Sequence, residues 1–149
     1  MDTYEFHALS EADIEAIFKI EQACHQVPWS LNTISSCFGP RYYCLGLKQN
    51  NQLLGFAFFE HICGEATLMD IAIAPNHQGQ GLGRALLNQG IDWCRTQGNQ
   101  LLWLEVRVSN DNAISLYQQL GFSEVAVREN YYPCKTGKED ALVMSLSLK

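Results

Sequence analysis

Apolar and polar positions alternate from Thr3 to Leu9, the period of a strand, and the period then changes. Ser10, with Asp13 three residues on, forms a capping-box pattern that opens a helix through Ile14, Ile17, Phe18 and Glu21. Pro28 breaks that helix, and Ser30 caps a short second one ending near Gly39 and Pro40. From Arg41 the pattern is strand-like three times over: "RYYCLGL", "QLLGFAFFEHI" and "EATLMDIAIA", with turns at Asn50-Asn51 and near Gly64. Three such strands joined by tight turns predict an antiparallel meander.

The glycine-rich segment "NHQGQGLGRALL" then opens a helix whose positions Leu82, Ala85, Leu86 and Trp93 share a face and which stops at Gly98. "QLLWLEVRV" reads as a central strand, because it is apolar nearly throughout. The cluster from Ser109 to Asn112 caps a helix carrying Ile114, Leu116, Tyr117 and Leu120 that ends at Gly121. Strands "FSEVAVR" and "EDALVMSLSL" follow, separated by a predicted loop, "ENYYPCKTGK". The predicted order is βααβββαβαββ: an α/β (α+β) fold with a mixed central sheet of about seven strands flanked by about four helices.

Composition narrows what this fold can be. A length of 149 residues with 47% hydrophobic content spread evenly suits one domain spanning 1–149. The first twenty residues hold Glu5, Glu11, Asp13 and Glu15, and no apolar stretch is long enough to span a bilayer, so a signal peptide and a membrane partner are not expected. A cytoplasmic protein is expected. The six cysteines form no C-x-x-C pair and are expected as reduced thiols, and the four histidines show no H-x-x-x-H spacing, so no metal site is predicted. A formal charge of −6 disfavours direct nucleic-acid binding but would attract a basic peptide.

The chemistry starts from the glycines Gly79, Gly81 and Gly83. They let backbone N–H groups approach an anion, and the following helix adds the positive end of its dipole. The segment lacks the lysine and hydroxyl of a Walker A loop and the third glycine of a dinucleotide fingerprint. By itself it is an anion cradle or a flexible connection. However, Gln78, Gly81 and Gly83 match the Q/R-x-x-G-x-G/A element of the GNAT acetyltransferase superfamily, and "SNDNAISLYQQLGF" resembles that superfamily's S-N-x-x-A-x-x-L-Y-x-x-x-G-F block. Within it, "PWS", "LWLEVR" and "RENYYP" resemble the branch of bacterial ribosomal protein alanine N-acetyltransferases. The resemblance covers nearly the whole chain.

It implies acetyl-CoA as cosubstrate. The pyrophosphate would lie on Gln78, Gly79, Gln80, Gly81, Leu82, Gly83 and Arg84, and the pantetheine arm beside Ile71, Ala72, Ile73 and Asn110, with a backbone N–H of that strand polarising the thioester carbonyl. It carries the general base to Glu105 and the general acid to Tyr117. A base is needed because an α-amine of pKa about 7.7–8.0 is mostly protonated at neutral pH. Burial beside Trp103 is expected to favour that role, whereas strand alternation equally permits a solvated pair of Glu105 with Arg107. Tyr117, taken alone, reads as a core aromatic and Asn110 as a helix cap. Trp29, Tyr131 and Tyr132 are candidate walls of the substrate channel. The implied partner is the basic N-terminus of a small-subunit ribosomal protein, with the enzyme a monomer or weak oligomer. Two alternatives stay open at this stage: acetylation of a small-molecule amine, and a non-catalytic acyl-CoA sensor.

Overall fold

A computed structural model describes residues 3–149. Its elements are β1 (Glu5–Ala8), α1 (Ile14–Cys24), α2 (Leu31–Ser36), β2 (Tyr42–Gln49), β3 (Gln52–Ile62), β4 (Glu65–Ile73), α3 (Leu82–Thr96), β5 (Leu101–Arg107), α4 (Asp111–Gln119), β6 (Ser123–Cys134) and β7 (Gly137–Ser147). The predicted order is realised. The seven strands make one sheet in the order β1-β2-β3-β4-β5-β7-β6, in which only β4 and β5 run parallel.

Alternation along β3 divides the core. Phe56 and Phe58 pack with Ile17 and Ile20 of α1 and Ile34 of α2, while Ala57 and Phe59 face Leu82, Leu86, Leu87 and Ile91 of α3. A strand buried on both faces must be apolar at every position, and "LLGFAFF" is. Gly90 brings α3 directly onto the Phe59 ring, where no Cβ would fit. Asn50 and Asn51, both at positive φ, close the β2–β3 hairpin as the asparagine pair foretold.

Two expectations fail. The first helix ends at Cys24, well before Pro28, and its capping box begins a 3₁₀ turn at Glu11–Asp13 that leads into α1. The predicted loop from Glu129 to Lys138 is mostly strand: β6 continues to Cys134, and the pairing moves from Arg128↔Ala141 to Tyr132↔Glu139 across a bulge. Asn130 supplies the bulge by taking φ 51° and donating its N–H to Asp140 Oδ1 at 2.9 Å. That irregularity hides the strand's period from the hydrophobic pattern.

The functional consequence of the sheet lies between its two parallel strands. Pairing of β4 with β5 runs only from Glu65↔Leu101 to Leu68↔Leu104. Beyond it β5 stays with β7, while β4 stays with β3 through a bulge at Met69, between Leu68↔Phe59 and Asp70↔Phe58. The strands part there, opening the centre of the sheet.

Candidate active-site cleft

A cleft of about 700 Å³ occupies this parting. Its floor is β4 from Leu68 to Ile73; β5 supplies Glu105 and Arg107, α4 supplies Asn110 and Tyr117, and the glycine turn supplies Gln78, Gly79, Gly81, Leu82 and Gly83. Trp29 and Tyr132 close the other end. Trp29, between α1 and α2, and Tyr132, in β6, meet here although more than one hundred residues separate them in the chain.

The backbone of β4 is suited to a ligand. Ala74 N–H bonds back to Leu54 O at 2.8 Å, so by antiparallel alternation Ile73 and Ile71 turn their peptide groups away from β3, into the gap. Ile73 O already accepts from Gln78 Nε2 at 2.8 Å and from Cys24 Sγ at 3.1 Å. Gln78 therefore braces the glycine turn against the strand. Gly79 and Gly81 take φ 78° and 81°, conformations that presuppose glycine, and Gly81 is the residue from which α3 starts. The first-turn N–H groups of α3 thus open onto the cleft with no side-chain cap at Gly81.

Gly83 differs from its neighbours. It has ordinary helical backbone, and the nearest atom to a Cβ there is Ile73 Cγ1 at 3.9 Å. Gly83→Val is therefore expected to fold, yet to weaken acetyl-CoA binding about tenfold or more by crowding the helix start. Calorimetric titration checks this. Gly81→Val would strain a left-handed position and confound fold with binding.

Three expected site residues lie outside the cleft lining. Gln80 faces out to Tyr4 Oη at 3.5 Å, and Arg84 reaches across to Gln119 of α4. Tyr131 is exposed, edge-on to Tyr132 with ring centroids 4.9 Å apart, and lies under the Arg128 guanidinium at 4.0 Å. Tyr132, the next residue of β6, faces the cleft under Arg107 at 4.7 Å. Burial pushes the Tyr132 phenol up to about 12.

Glu105 is not where the pattern put it. It pairs with Arg128 Nη1 at 2.9 Å and not with Arg107, which is held by Glu139 at 3.0 Å and by Pro133 O at 2.8 Å. Trp103 turns its indole N–H to Glu65 Oε1 at 2.7 Å, away from Glu105. The carboxylate is about one quarter exposed, so the expected burial is incomplete. Tyr117 is buried against Phe122 with its ring on the cleft, and burial, then neighbouring Tyr132 and Asp70, push its phenol above the ordinary value. Asn110 caps α4 by accepting from Ala113 N at 3.2 Å and also lines the cleft, so both readings of it hold geometrically.

The pattern reading missed a second set of groups. Glu21, in the last turn of α1, and His25, the residue that ends that helix, meet Asp70 of β4 at the cleft wall. Only the helical i, i+4 spacing of the first two was visible in the chain; Asp70 is brought by the bulge at Met69. Glu21 Oε2 accepts from Trp29 N at 2.9 Å, and His25 Nε2 lies 3.1 Å from Asp70 Oδ1. Burial, then Asp70, raise the Glu21 carboxyl from 4.5 to about 8. Such a group keeps its proton in the fold where the unfolded chain has lost it, so it costs stability as pH climbs between those values. The expected result is that Glu21→Gln raises the unfolding temperature more at about pH 8.5 than at about pH 5, read by thermal scans.

The sequence profile of the acetyltransferase (GNAT) family matches residues 12–122. The ribosomal protein bS18-alanine N-acetyltransferase of Escherichia coli (strain K12) is 47% identical over 141 residues, 95% of each chain. The crystal structure of the ribosomal-protein-S18-alanine N-acetyltransferase from Escherichia coli superposes with a TM-score of 0.96 at 45% identity, covering 99% of this chain and 95% of that one. A putative acetyltransferase from Salmonella typhimurium, solved with its cofactor acetyl-CoA, shares the fold at a TM-score of 0.82 and 23% identity, covering 98% and 94%.

Proposed function

The chain belongs to the acetyltransferase (GNAT) family, and on that premise we propose that it acetylates the N-terminal alanine of ribosomal protein bS18, taking the acetyl group from acetyl-CoA. The observation that carries the reading is the parted pair of parallel strands, with the uncapped start of α3 at one end and Trp29 and Tyr132 at the other. Acetyl-CoA would enter with its pyrophosphate on the α3 N-terminus and its thioester beside β4. The N–H of Ile73 would polarise the carbonyl, that of Ile71 being held by Asp70 Oδ1 at 2.9 Å, an oxyanion role that suits groups fixed before the charge develops.

In this reading Glu105 takes a proton from the attacking amine and Tyr117 gives one to the departing thiolate. Gln80 and Arg84 have no part in the cleft and are left to the outer face of the turn. Val27 and Met69, both exposed and both lining the cleft, give the incoming chain end an apolar wall with Trp29. The single domain acts in the cytoplasm as a monomer or weak oligomer, without nucleic acid, membrane or metal. Among the described residues no helix is long and apolar enough to cross a membrane.

An α-amine suits the chemistry better than a lysine, whose pKa of about 10.4 makes deprotonation costlier by roughly 3.4 kcal/mol. The test is mass spectrometry of peptides after incubation with acetyl-CoA. Alanine-initiated peptides should gain one acetyl group, and the same peptides with a blocked N-terminus and an internal lysine should react poorly. Comparable acetylation of the blocked peptides, or of polyamines in preference to both, would overturn the substrate.

A further inference from the structure

Four residues join the end of α1 to Trp29, and Pro28 among them has no N–H to give. His25 N–H closes α1 on Glu21 O at 3.2 Å, and Ser30 begins the capping of α2. Between these ends, among the described residues, the backbone makes a single hydrogen bond: Trp29 N–H donates to Glu21 Oε2 at 2.9 Å. Whatever fixes the Glu21 side chain therefore fixes the backbone that brings Val27 and Trp29 to the cleft.

We propose that Glu21 is a positioning residue for the substrate amine: clasped to Asp70 on one side and to the Trp29 N–H on the other, it ties the floor of the cleft to the wall that receives the incoming chain end. The inference rests on the amine-acetylating reading above. It adds to that reading a residue that acts through Trp29 and not on the reacting atoms.

Three observations carry it. First, the Glu21 side chain is only 2% exposed and that of Asp70 9%, yet Glu21 Oε1 and Asp70 Oδ2 have no donor while both carboxyls are bare. The two groups approach within 4.8 Å. One proton carried by Glu21 gives each oxygen its partner, the acid donating to the carboxylate. Second, Asp70 is held from its other side, where Oδ1 accepts from Ile71 N–H at 2.9 Å and lies 3.1 Å from His25 Nε2. That leaves Oδ2 for Glu21. Third, Asp70 stands just past the bulge at Met69, so the clasp joins α1 to the stretch of β4 that would carry the thioester.

The proton is in place at neutral pH. Burial, then Asp70, hold the Glu21 carboxyl up at about 8, so it stands there as an acid with one donor and one free acceptor. A glutamine amide offers the same pair: its Nε2 can donate to Asp70 while its Oε1 accepts from Trp29 N–H. Methionine has the same unbranched reach and no donor for Asp70, and alanine has neither group.

The test is a double-substitution cycle of Glu21→Met and Trp29→Ala at neutral pH, with Glu21→Gln as the conservative variant, run on whichever amine the wild type acetylates. Which amine that is decides the substrate reading, and the cycle decides the clasp. With Trp29 present, Glu21→Met should raise KM for the amine about tenfold, while kcat stays within about threefold and acetyl-CoA affinity within about twofold. Glu21→Gln should restore KM to within about threefold of wild type. With Trp29→Ala already in place, Glu21→Met should add less than about threefold, because the group it positions is gone. Undiminished losses in that background, or a Glu21→Gln variant as impaired as Glu21→Met, would overturn the clasp. Glu21→Ala is the second variant should methionine not be accommodated, and a wild-type KM in either one overturns it too. Fluorine-19 NMR of protein carrying 5-fluorotryptophan reads the wall without turnover. Of the three tryptophan resonances, only that of Trp29 should shift or broaden in Glu21→Met, and none in Glu21→Gln. A Trp29 resonance unmoved in Glu21→Met would show that the loop needs no clasp.

Discussion

Glu105→Gln is expected to lower kcat/KM for an alanine-initiated peptide by about 10²–10⁴-fold at neutral pH, the usual worth of a general base. The substitution keeps the side chain's shape and removes only its capacity to take a proton. The rival role is now specific. Glu105 pairs with Arg128, which is more than half exposed, and an exposed pair contributes at most about 1 kcal/mol. If pairing were all Glu105 did, Glu105→Gln and Arg128→Gln would cost equally little, and activity would survive both. If Glu105 is the base, only the first is severe, and Arg128→Gln stays within about tenfold of wild type. Steady-state rates for both variants from mildly acidic to alkaline pH separate the two. The wild-type rate should climb through the α-amine's range, about 7.7–8.0. A fully active Glu105→Gln variant with the same profile would remove Glu105 from the mechanism.

What the chain alone disclosed, and what it withheld, follows from how local each signal is. The β3 run, the asparagine hairpin and the cap at Asn110 are written in neighbouring residues, and all were legible. So was the glycine turn, because positive φ at Gly79 and Gly81 leaves a mark in residue type. The neighbours of a side chain across the sheet leave none. Arg128 reaches Glu105 across β7, on which Ala126 and Glu105 both pair with Val143, and Trp103 turns to Glu65 because β4 and β5 are still paired at that level. The carboxyl cluster depends on one extra residue in β4, Met69, whose effect is to swing Asp70 toward α1. A bulge is a register event, and a one-residue shift cannot be read from hydrophobic periodicity.

Tyr117→Phe is expected to cut kcat about 10²-fold while leaving the KM for peptide and the affinity for acetyl-CoA within about twofold, because only the departing thiolate needs the hydroxyl. The ring packs on Phe122 at a centroid distance of 5.7 Å, and phenylalanine keeps that contact, so the fold should not suffer. Burial makes the phenol a weaker acid than usual, which bears on the role in two ways. Donation to a free thiolate of pKa about 8.5 from a phenol of about 10 is uphill by roughly 2 kcal/mol. The same desolvation that raises the phenol acts on a thiolate leaving into this cleft, so the gap between them need not widen. The raised value also keeps Tyr117 protonated throughout the range in which the amine becomes neutral. A general acid fails above its own pKa, so kcat of the wild type should show no descending limb below about pH 10. Stopped assays with an alanine-initiated peptide and calorimetric titration of acetyl-CoA check both parts. Unchanged turnover in Tyr117→Phe would return this residue to the core, and a wild-type rate that falls already near pH 8 would require an acid other than this buried phenol.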